Sequence, residues 1–223
     1  QVEPSVDLIG KSRGVDVAIV GDVGAVVKQL SQEAEGHSWR KLPIINELEA
    51  ASADEERRLE AMAPESDPMH AMSLHKALRP FLDEDTCLVL EGSDFAFWGS
   101  IYHRVYRPNR WFCNSTLGMI GFGVPFSIGA RVALPDSKIV LMTGDGAFGF
   151  HGMELDTAVR HNLPVVIIVG NDSVWGMDYH QQVELFEGRT VATERLPTRY
   201  DKLAEALGAH GELVEEASEL PGA

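Results

Sequence analysis

The chain has 223 residues, of which 44% are hydrophobic and 24% are charged, a balance typical of one α/β domain plus part of another. Its formal net charge of -15 argues against nucleic acids and anionic membranes as partners, because both would repel it. No apolar run approaches membrane-spanning length, and we expect no signal peptide.

The two cysteines of the chain, Cys87 and Cys113, are isolated from each other and belong to no CxxC pair. Cysteines in this setting are expected to be buried and reduced, rather than zinc ligands or nucleophiles. Reduced cysteines are typical of the cytoplasm, which is therefore the predicted location.

The first segment predicts one strand and one helix. Val15–Val20 is an apolar run, and Gly21 and Asp22 then turn into a helix. The apolar side of this helix is predicted to carry Val23, Val26, Val27 and Leu30. One strand and one helix cannot bury their apolar faces alone, so we expect residues 1–35 to end a preceding domain and the chain to be part of a longer protein.

Charged residues dominate the next segment, residues 36–68, which is predicted to be a solvated helix and an acidic linker closed by Pro64 and Pro68. Residues 69–223 are then predicted to form the second domain. It begins with a helix over Met69–Leu82 and a buried strand over Thr86–Leu90. It is predicted to end with a polar, variable segment over Glu184–Pro197, a short helix over Tyr200–Gly208 with a glycine stop, and the start of a last strand at Glu212–Val214. The fold class predicted for this domain is α/β, a three-layer parallel sheet with helices on both faces.

A glycine-rich stretch follows between Asn114 and Ala130. Glycine is too frequent here for an ordinary helix, which favours a backbone that passes close to a ligand or neighbour. Tight packing of a helix on the sheet is the alternative explanation. The glycines concerned are Gly118, Gly121, Gly123 and Gly129.

The most informative stretch is a predicted βαβ unit. Ile139–Met142 is predicted to be a strand buried on both faces and is followed by Gly144-Asp145-Gly146. Val165–Val169 is predicted to be a second such strand and is followed by Gly170-Asn171-Asp172. The helix between them is predicted to end at Asn162 and Pro164. Its apolar side is predicted to carry Met153, Leu155, Ala158 and Val159.

A right-handed crossover makes these two strands parallel, so their carboxyl ends open on one edge of the sheet. If the strands are neighbours, Asp145 and Asp172 face one small volume. Two carboxylates this close repel each other unless a cation lies between them, and Mg²⁺ prefers such oxygen ligands. Gly144 and Gly146 would let an anion approach the backbone, and the helix start offers unpaired N–H groups to a phosphate.

Gly144-Asp145-Gly146, a spacer of 24 residues and Asn171-Asp172 resemble the thiamine-diphosphate motif of the pyruvate-decarboxylase and acetolactate-synthase superfamily, usually GDG followed by NN. The resemblance implies a thiamine-diphosphate-dependent enzyme of the acetolactate synthase or 2-hydroxyacyl-CoA lyase-like branch. Such an enzyme cleaves or forms C–C bonds of small 2-keto acids or 2-hydroxyacyl thioesters, as a homodimer or homotetramer. It further implies that Mg²⁺ is held by Asp145, Asp172 and the carbonyl of Val174, with Asp172 replacing the usual asparagine.

The resemblance extends from about Asp83 to Leu213, and residues 1–35 are similar to the end of the central Rossmann-like domain of acetolactate synthases. It implies that the Gly118 carbonyl accepts a hydrogen bond from the cofactor amino group and that Ile120 wedges under the thiazolium ring. The other cofactor contacts that it implies are at Ser93, Asp94, Phe95, Gly144, Gly146, Ala147, Trp175, Gly176 and Met177.

The resemblance places the activating glutamate in an N-terminal domain that these residues do not contain. Glu91, Glu154 and Glu184 are the acids that could replace it, but none is assigned, so no catalytic residue is predicted here and the chain alone is expected to be inactive. A non-catalytic scaffold or regulatory module of the same fold is an alternative. A flavodoxin-like or nucleotide-binding domain is disfavoured, because the GxGxxG and GxxxxGK[ST] patterns are missing.

Overall fold

A computed structural model describes residues 1–62, 68–92, 94–113 and 115–222. The chain divides into two compact units, Gln1–Ala51 and Ser52–Ala223. The division falls inside the predicted acidic linker, and the domain assignment stays a prediction. Three residues singled out in the sequence, Pro64, Ser93 and Asn114, lie outside the described residues.

The first unit contains two short parallel strands, β1 (Val2–Glu3) and β2 (Ile19–Val20), followed by the helix α1 (Val23–Ala34). The predicted strand is therefore shorter than Val15–Val20, because only its last two residues have a pairing partner. The carboxylate of Asp22 caps α1 by accepting a hydrogen bond from a backbone amide in its first turn. The predicted apolar side of α1 is only partly covered, since Val23, Val27 and Leu30 are exposed within the described chain.

Helix α2 (Pro43–Ala61) confirms the solvated helix expected from the acidic segment. Leu59 is its one buried residue. The charged side chains pair with each other along its surface, as in the contact of Arg58 Nε with Glu55 Oε2 at 2.8 Å. Such exposed pairs add little stability, so the charge run needs no functional explanation.

The sheet of the second unit has four parallel strands in the order β4-β3-β5-β6. These are β3 (Cys87–Glu91), β4 (Trp111–Cys113), β5 (Ile139–Gly144) and β6 (Val166–Gly170). β5 lies between two strands and is buried along its length except at Gly144. This order makes β5 and β6 neighbours, as the βαβ prediction requires.

Helices cover both faces of this sheet. On one face, Leu88 and Leu90 of β3 pack against residues of the helices α3 (Ala71–Leu78) and α4 (Asp94–Tyr102). On the opposite face, Val89 packs against residues of helices that follow later in the chain. This arrangement confirms the three-layer α/β fold with helices on both faces. The helices are α3 (Ala71–Leu78), α4 (Asp94–Tyr102), α5 (Gly123–Ala133), α6 (Asp145–His151), α7 (Leu155–Arg160), α8 (Gly176–Leu185) and α9 (Tyr200–Ala206).

The predicted crossover helix is interrupted. A 3-10 turn at Gly152–Glu154 separates α6 from α7 and changes the direction in which the side chains point. Leu155 and Ala158 are buried as expected, but Met153 and Val159 are exposed, so the predicted apolar side is wrong at those two positions.

Three further predictions about burial and strands are wrong. β6 is not buried on both faces, since it is the last strand of the sheet among the described residues and Val166 is exposed. Cys113 is exposed, because it ends the other outer strand; Cys87 is buried, and both thiols are free. The strand expected at Glu212–Val214 does not form, since nothing in the described chain pairs with it.

No described helix combines the length and the low polarity that crossing a membrane would require. The predicted start of α9 at Tyr200 is confirmed, and its glycine stop is confirmed at Gly208, which adopts φ +85° just past the end of the helix.

Candidate functional site at the carboxyl edge of the sheet

The strands β3, β5 and β6 end at the same edge of the sheet. Their register aligns Glu91 with Thr143 and Gly144 with Gly170. Asp145 therefore directly follows the last residue of β5 and lies on the edge where parallel sheets bind ligands. The prediction that β5 and β6 open side by side on one edge is confirmed.

Asp145 is the most enclosed acid at this edge. It is the first residue of α6 and only 2% exposed. Its Oδ1 accepts a hydrogen bond from the Gly146 amide at 2.7 Å, while its Oδ2 has no hydrogen-bond partner among the described residues. The closest cation is Arg195, whose Nη1 lies 3.5 Å from Oδ2.

The surroundings of Asp145 shift the pKa of its carboxyl in opposing directions. Burial raises the pKa of its carboxyl, Arg195 lowers it, and the negative charge of Asp172 raises it again. Burial has the largest effect. The ionised form is thus disfavoured by its surroundings, and a divalent cation would favour it.

Asp172 lies on an exposed loop after β6. Its Oδ1 accepts a hydrogen bond from the Val174 amide at 3.1 Å, which is a local turn of the loop. Gly176 lets two acids come close: a Cβ there would lie 3.4 Å from Asp172 Oδ2 and 3.1 Å from Asp94 Oδ2. Asp94 is paired in turn with His180, at 3.1 Å.

A short antiparallel bridge fixes the loop around Val174, which lies opposite Glu194. Its two hydrogen bonds, both 2.8 Å long, run from the Trp175 amide to Thr193 and from the Arg195 amide to the Ser173 carbonyl. They do not use the carbonyl of Val174 itself. That oxygen is thus not consumed by the bridge.

The two glycines of the Gly144-Asp145-Gly146 turn have different surroundings. A Cβ on Gly146 would lie 2.7 Å from ring carbons of Trp175, so glycine is required there for the Trp175 loop to pack against α6. A Cβ on Gly144 would meet no protein atom within 4 Å. Open space therefore lies beside the backbone at the start of α6, where an anion could approach.

These residues fit a magnesium ion. The described residues contain no group of three or more His, Cys, Asp or Glu side chains arranged to hold a metal. Two carboxylates, one with an unpaired buried oxygen, and a backbone carbonyl are nevertheless hard oxygen ligands. A set this small suits Mg²⁺, which keeps coordination positions for phosphate oxygens and water.

A known protein family matches the part of the chain that contains this edge of the sheet. The family described as "Thiamine pyrophosphate enzyme, C-terminal TPP binding domain" matches residues 92–223. The chain belongs to this family. Its ligand, thiamine pyrophosphate, is the thiamine diphosphate that the sequence motif implied, so the predicted family and cofactor are confirmed.

Several curated proteins contain a similar thiamine-pyrophosphate-binding domain. A "Probable acetolactate synthase" of Mycobacterium bovis is 36% identical over 93% of this chain and 38% of its own length. The "2-hydroxyacyl-CoA lyase 2" of Homo sapiens is 34% identical over 91% of this chain and 32% of its own length. The "Acetolactate synthase" of Bacillus subtilis is 31% identical over 92% and 36%. The chain thus spans about a third of the length of these relatives.

The remaining predicted cofactor contacts of this thiamine-pyrophosphate-binding domain lie in varied surroundings. Ala147 is buried beside Gly92, Met177 is exposed, and the Phe95 side chain is buried in the core against Gly170. Gly118 adopts φ +60° in an exposed turn, and Ile120 is half-buried shortly before α5. The side chain of Phe95 therefore has a packing role, and its carbonyl oxygen is hydrogen-bonded to the buried His75 Nε2 at 3.0 Å.

The three acids that could have replaced the missing glutamate have other surroundings. Glu91 is buried, accepts a hydrogen bond from Thr143 Oγ1 at 3.1 Å and has no partner for its Oε1 among the described residues. Glu154 accepts a hydrogen bond from Thr157 Oγ1 at 2.7 Å, and its side chain makes no capping bond to a described backbone amide of α7. Glu184 is exposed on α8.

Arg195 and Tyr200 belong to this site although neither was predicted to do so. Arg195 Nη2 donates to Tyr200 Oη at 3.2 Å, and Tyr200 Oη donates to the Asp145 carbonyl at 3.3 Å. Arg195 lies within the segment Glu184–Pro197, which was predicted to be polar and variable, and Tyr200 begins the helix that follows it. The excess of negative charge at the two aspartates is the one feature of the sequence that could have prompted a search for a nearby cation.

A second opening lies at the other end of the sheet. It is a small cleft, partly open to solvent, and it is lined by residues of the segments 79–88 and 103–110. We favour the edge at Asp145 as the functional site because it combines neighbouring carboxylates, open backbone and a helix start, whereas this cleft lies at the amino ends of the strands.

Proposed function

We propose that Asp145, Asp172 and the carbonyl of Val174 hold a magnesium ion that binds the diphosphate of thiamine diphosphate. The enzyme of which this domain is part would cleave or form C–C bonds of 2-keto acids or of 2-hydroxyacyl thioesters. The similarity to an acetolactate synthase and to a 2-hydroxyacyl-CoA lyase supports both substrate classes.

The observation that carries this proposal is the buried carboxylate of Asp145. Its Oδ2 is enclosed at the edge of the sheet without a hydrogen bond among the described residues. A buried and unpaired carboxylate oxygen is costly, and a bound cation would remove that cost. Asp172 is close enough to raise the pKa of Asp145, which supports a shared ion between them.

The protein residues have three tasks in this proposal. Gly144 would leave the backbone open to the diphosphate, unpaired amides in the first turns of α6 and α8 would donate hydrogen bonds to it, and Ile120 would support the thiazolium ring. When bound, thiamine diphosphate supplies a carbon nucleophile and an electron sink. We assign no general base to these residues.

We also propose that the enzyme is a homodimer or homotetramer in the cytoplasm. Large apolar side chains are exposed on the neighbouring segments before α5 and along α5 and α6, which supports contact with a second copy. They are Leu117, Met119, Phe126 and Phe150. The two free cysteines support a reducing compartment.

A calorimetric titration of the chain with thiamine diphosphate, with and without Mg²⁺, tests the proposed function. Saturable binding that disappears when the ion is removed with a chelator is expected. A titration with no binding in either condition would instead favour the non-catalytic scaffold. Turnover of a 2-keto acid by the chain alone would contradict the absence of a general base.

A further inference from the structure

Arg195 is a cation inside the site that the function proposed above does not use. Its side chain is 21% exposed, and Nη1 lies 3.5 Å from Asp145 Oδ2. The guanidinium carbon is 5.1 Å from the centre of the Trp175 ring, a cation–π contact. Nη2 donates to Tyr200, so the group is held from two sides.

The turn at the end of β5 is shaped to admit this guanidinium. A Cβ on Gly146 would lie 3.1 Å from Arg195 Nη1, and a Cβ on Gly149 would lie 3.2 Å from Nη2. Side chains at these two positions would thus press on the arginine. The Arg195 amide is also tied to the Ser173 carbonyl, next to Asp172, so the loop that carries the second carboxylate also fixes the arginine.

Two complementary groups face each other here without a hydrogen bond. Arg195 Nη1 and Asp145 Oδ2 are both buried, and neither has a partner among the described residues. Their 3.5 Å separation is too long for a good charge-assisted bond. The arrangement leaves the Nη1–H donor available to a phosphate oxygen and the Oδ2 acceptor available to a cation.

The site also needs a positive charge. Asp145 and Asp172 together bring two negative charges to a place that would receive an anionic diphosphate. A divalent ion offsets only part of the combined negative charge of the two carboxylates and the diphosphate. Arg195 lies 3.5 Å from Asp145 Oδ2, so the arginine and the two carboxylates together carry a net charge of only one.

We propose that Arg195 is a diphosphate-binding residue of this domain, which offsets the charge of Asp172 and donates its free Nη1–H group to a diphosphate oxygen. The proposal rests on the proposed function and deepens it. It assigns to the segment before α9 a direct part in binding the cofactor. It also explains how a second aspartate is accommodated at a position beside an anion.

A double-mutant cycle with thiamine diphosphate and Mg²⁺ tests the proposal by calorimetry. Arg195→Gln should weaken binding by about tenfold or more, and Arg195→Lys by less, because lysine keeps the charge but not the fork. In the Asp172→Asn background the same Arg195→Gln change should cost less, about threefold, since only the hydrogen bond to the diphosphate is then lost and not the charge offset. Arg189→Gln, an equal change of charge at an exposed position, should have no effect.

Two results of this cycle would overturn the proposal. Equal losses on Arg195→Gln in both backgrounds would mean that the arginine does not offset Asp172. Tighter binding by Arg195→Gln would mean that the arginine obstructs the site.

A measurement without ligand separates this proposal from the proposed function. Arg195→Gln should lower the melting temperature by about 2–4 °C, and Asp172→Asn should recover a large part of that loss. Strictly additive changes in melting temperature would overturn the charge offset even if no variant bound the cofactor. Failure of the unaltered chain to bind, together with a clear recovery by Asp172→Asn, would count against the proposed function alone.

Discussion

Asp145 and Asp172 reach the same edge of the sheet from opposite kinds of surroundings. Asp145 follows a strand that is buried almost throughout and is itself 2% exposed. Asp172 follows the outer strand β6 and lies on an exposed loop. The protein core therefore sets the position of the first carboxylate, whereas hydrogen bonds of the loop set that of the second.

The difference predicts unequal roles for the two acids. A buried, ionised carboxylate with an unpaired oxygen lowers the stability of the ligand-free chain, so its presence is best explained by the ion. An exposed carboxylate is solvated in any case and can be replaced by another oxygen ligand at small cost. The four predictions below test this asymmetry.

Asp145→Asn is expected to have the largest effect. It should weaken magnesium-dependent binding of thiamine diphosphate by more than about 100-fold in a calorimetric titration, because it removes the buried anionic ligand. Asp136→Asn makes the same change at an exposed position before β5 and should bind normally. Near-normal binding by Asp145→Asn would remove this residue from the metal site.

Gly146→Ala and Gly144→Ala separate packing from ligand contact. The Cβ on residue 146 would lie 2.7 Å from the Trp175 ring, so Gly146→Ala should lower the unfolding free energy by about 1–3 kcal/mol in a denaturant titration. Gly144→Ala should leave stability within about 0.5 kcal/mol, because its Cβ meets no protein atom, yet it should weaken cofactor binding. Normal binding by Gly144→Ala would show that the open space beside that residue is not where the diphosphate lies.

The ligand-free stability of the chain should report the burial of Asp145 through its pH dependence. Burial raises the pKa of this carboxyl above 3.8, so the folded state holds the proton more tightly than the unfolded state. The stabilising effect of the protonated group is present at low pH and is lost as pH rises through the folded pKa. Asp145→Asn cannot ionise. The difference between its free energy of unfolding and that of the parent chain should thus be more favourable to the variant at about pH 7 than at about pH 4.

Denaturant titrations at both pH values measure this difference. Asp136→Asn is again the control, and it should show the same difference from the parent at both values. A gain for Asp145→Asn that did not grow with pH would contradict the burial account.

Asp172→Asn should have the smallest effect. The amide oxygen can still bind the ion, and removing a negative charge beside the diphosphate should leave binding equal or improve it, within about threefold. Calorimetry measures the change. Complete loss of binding by this variant would make the exposed carboxylate as important as the buried one, against the asymmetry described above.

The central part of this site was predictable from sequence because its elements are local. The βαβ unit follows from two apolar runs with glycine turns at their ends, and parallel strands bring Asp145 and Asp172 to one edge. The break in the crossover helix was not predictable. It depends on Gly152, where a Cβ would meet the Phe148 ring at 2.7 Å, which is a matter of packing rather than periodicity.

Long-range partners were the part that could not be predicted. Arg195 lies in an irregular segment, which gives no periodic pattern, and it meets Asp145 only through the bridge of Val174 with Glu194. The exposure of Cys113 and of β6 likewise depends on which strands lie at the outside of the sheet. Strand order is a property of the whole fold and cannot be derived from the residues of one segment. For this reason Cys113 and β6 were both predicted to be buried.

A crystal structure of the chain with thiamine diphosphate and Mn²⁺ in place of Mg²⁺ tests the central claim most directly. We predict one anomalous scattering peak about 2.1 Å from a carboxylate oxygen of each of Asp145 and Asp172, with the diphosphate on its open side. A bound cofactor whose diphosphate lies away from this edge, or a metal peak that contacts neither aspartate, would contradict it.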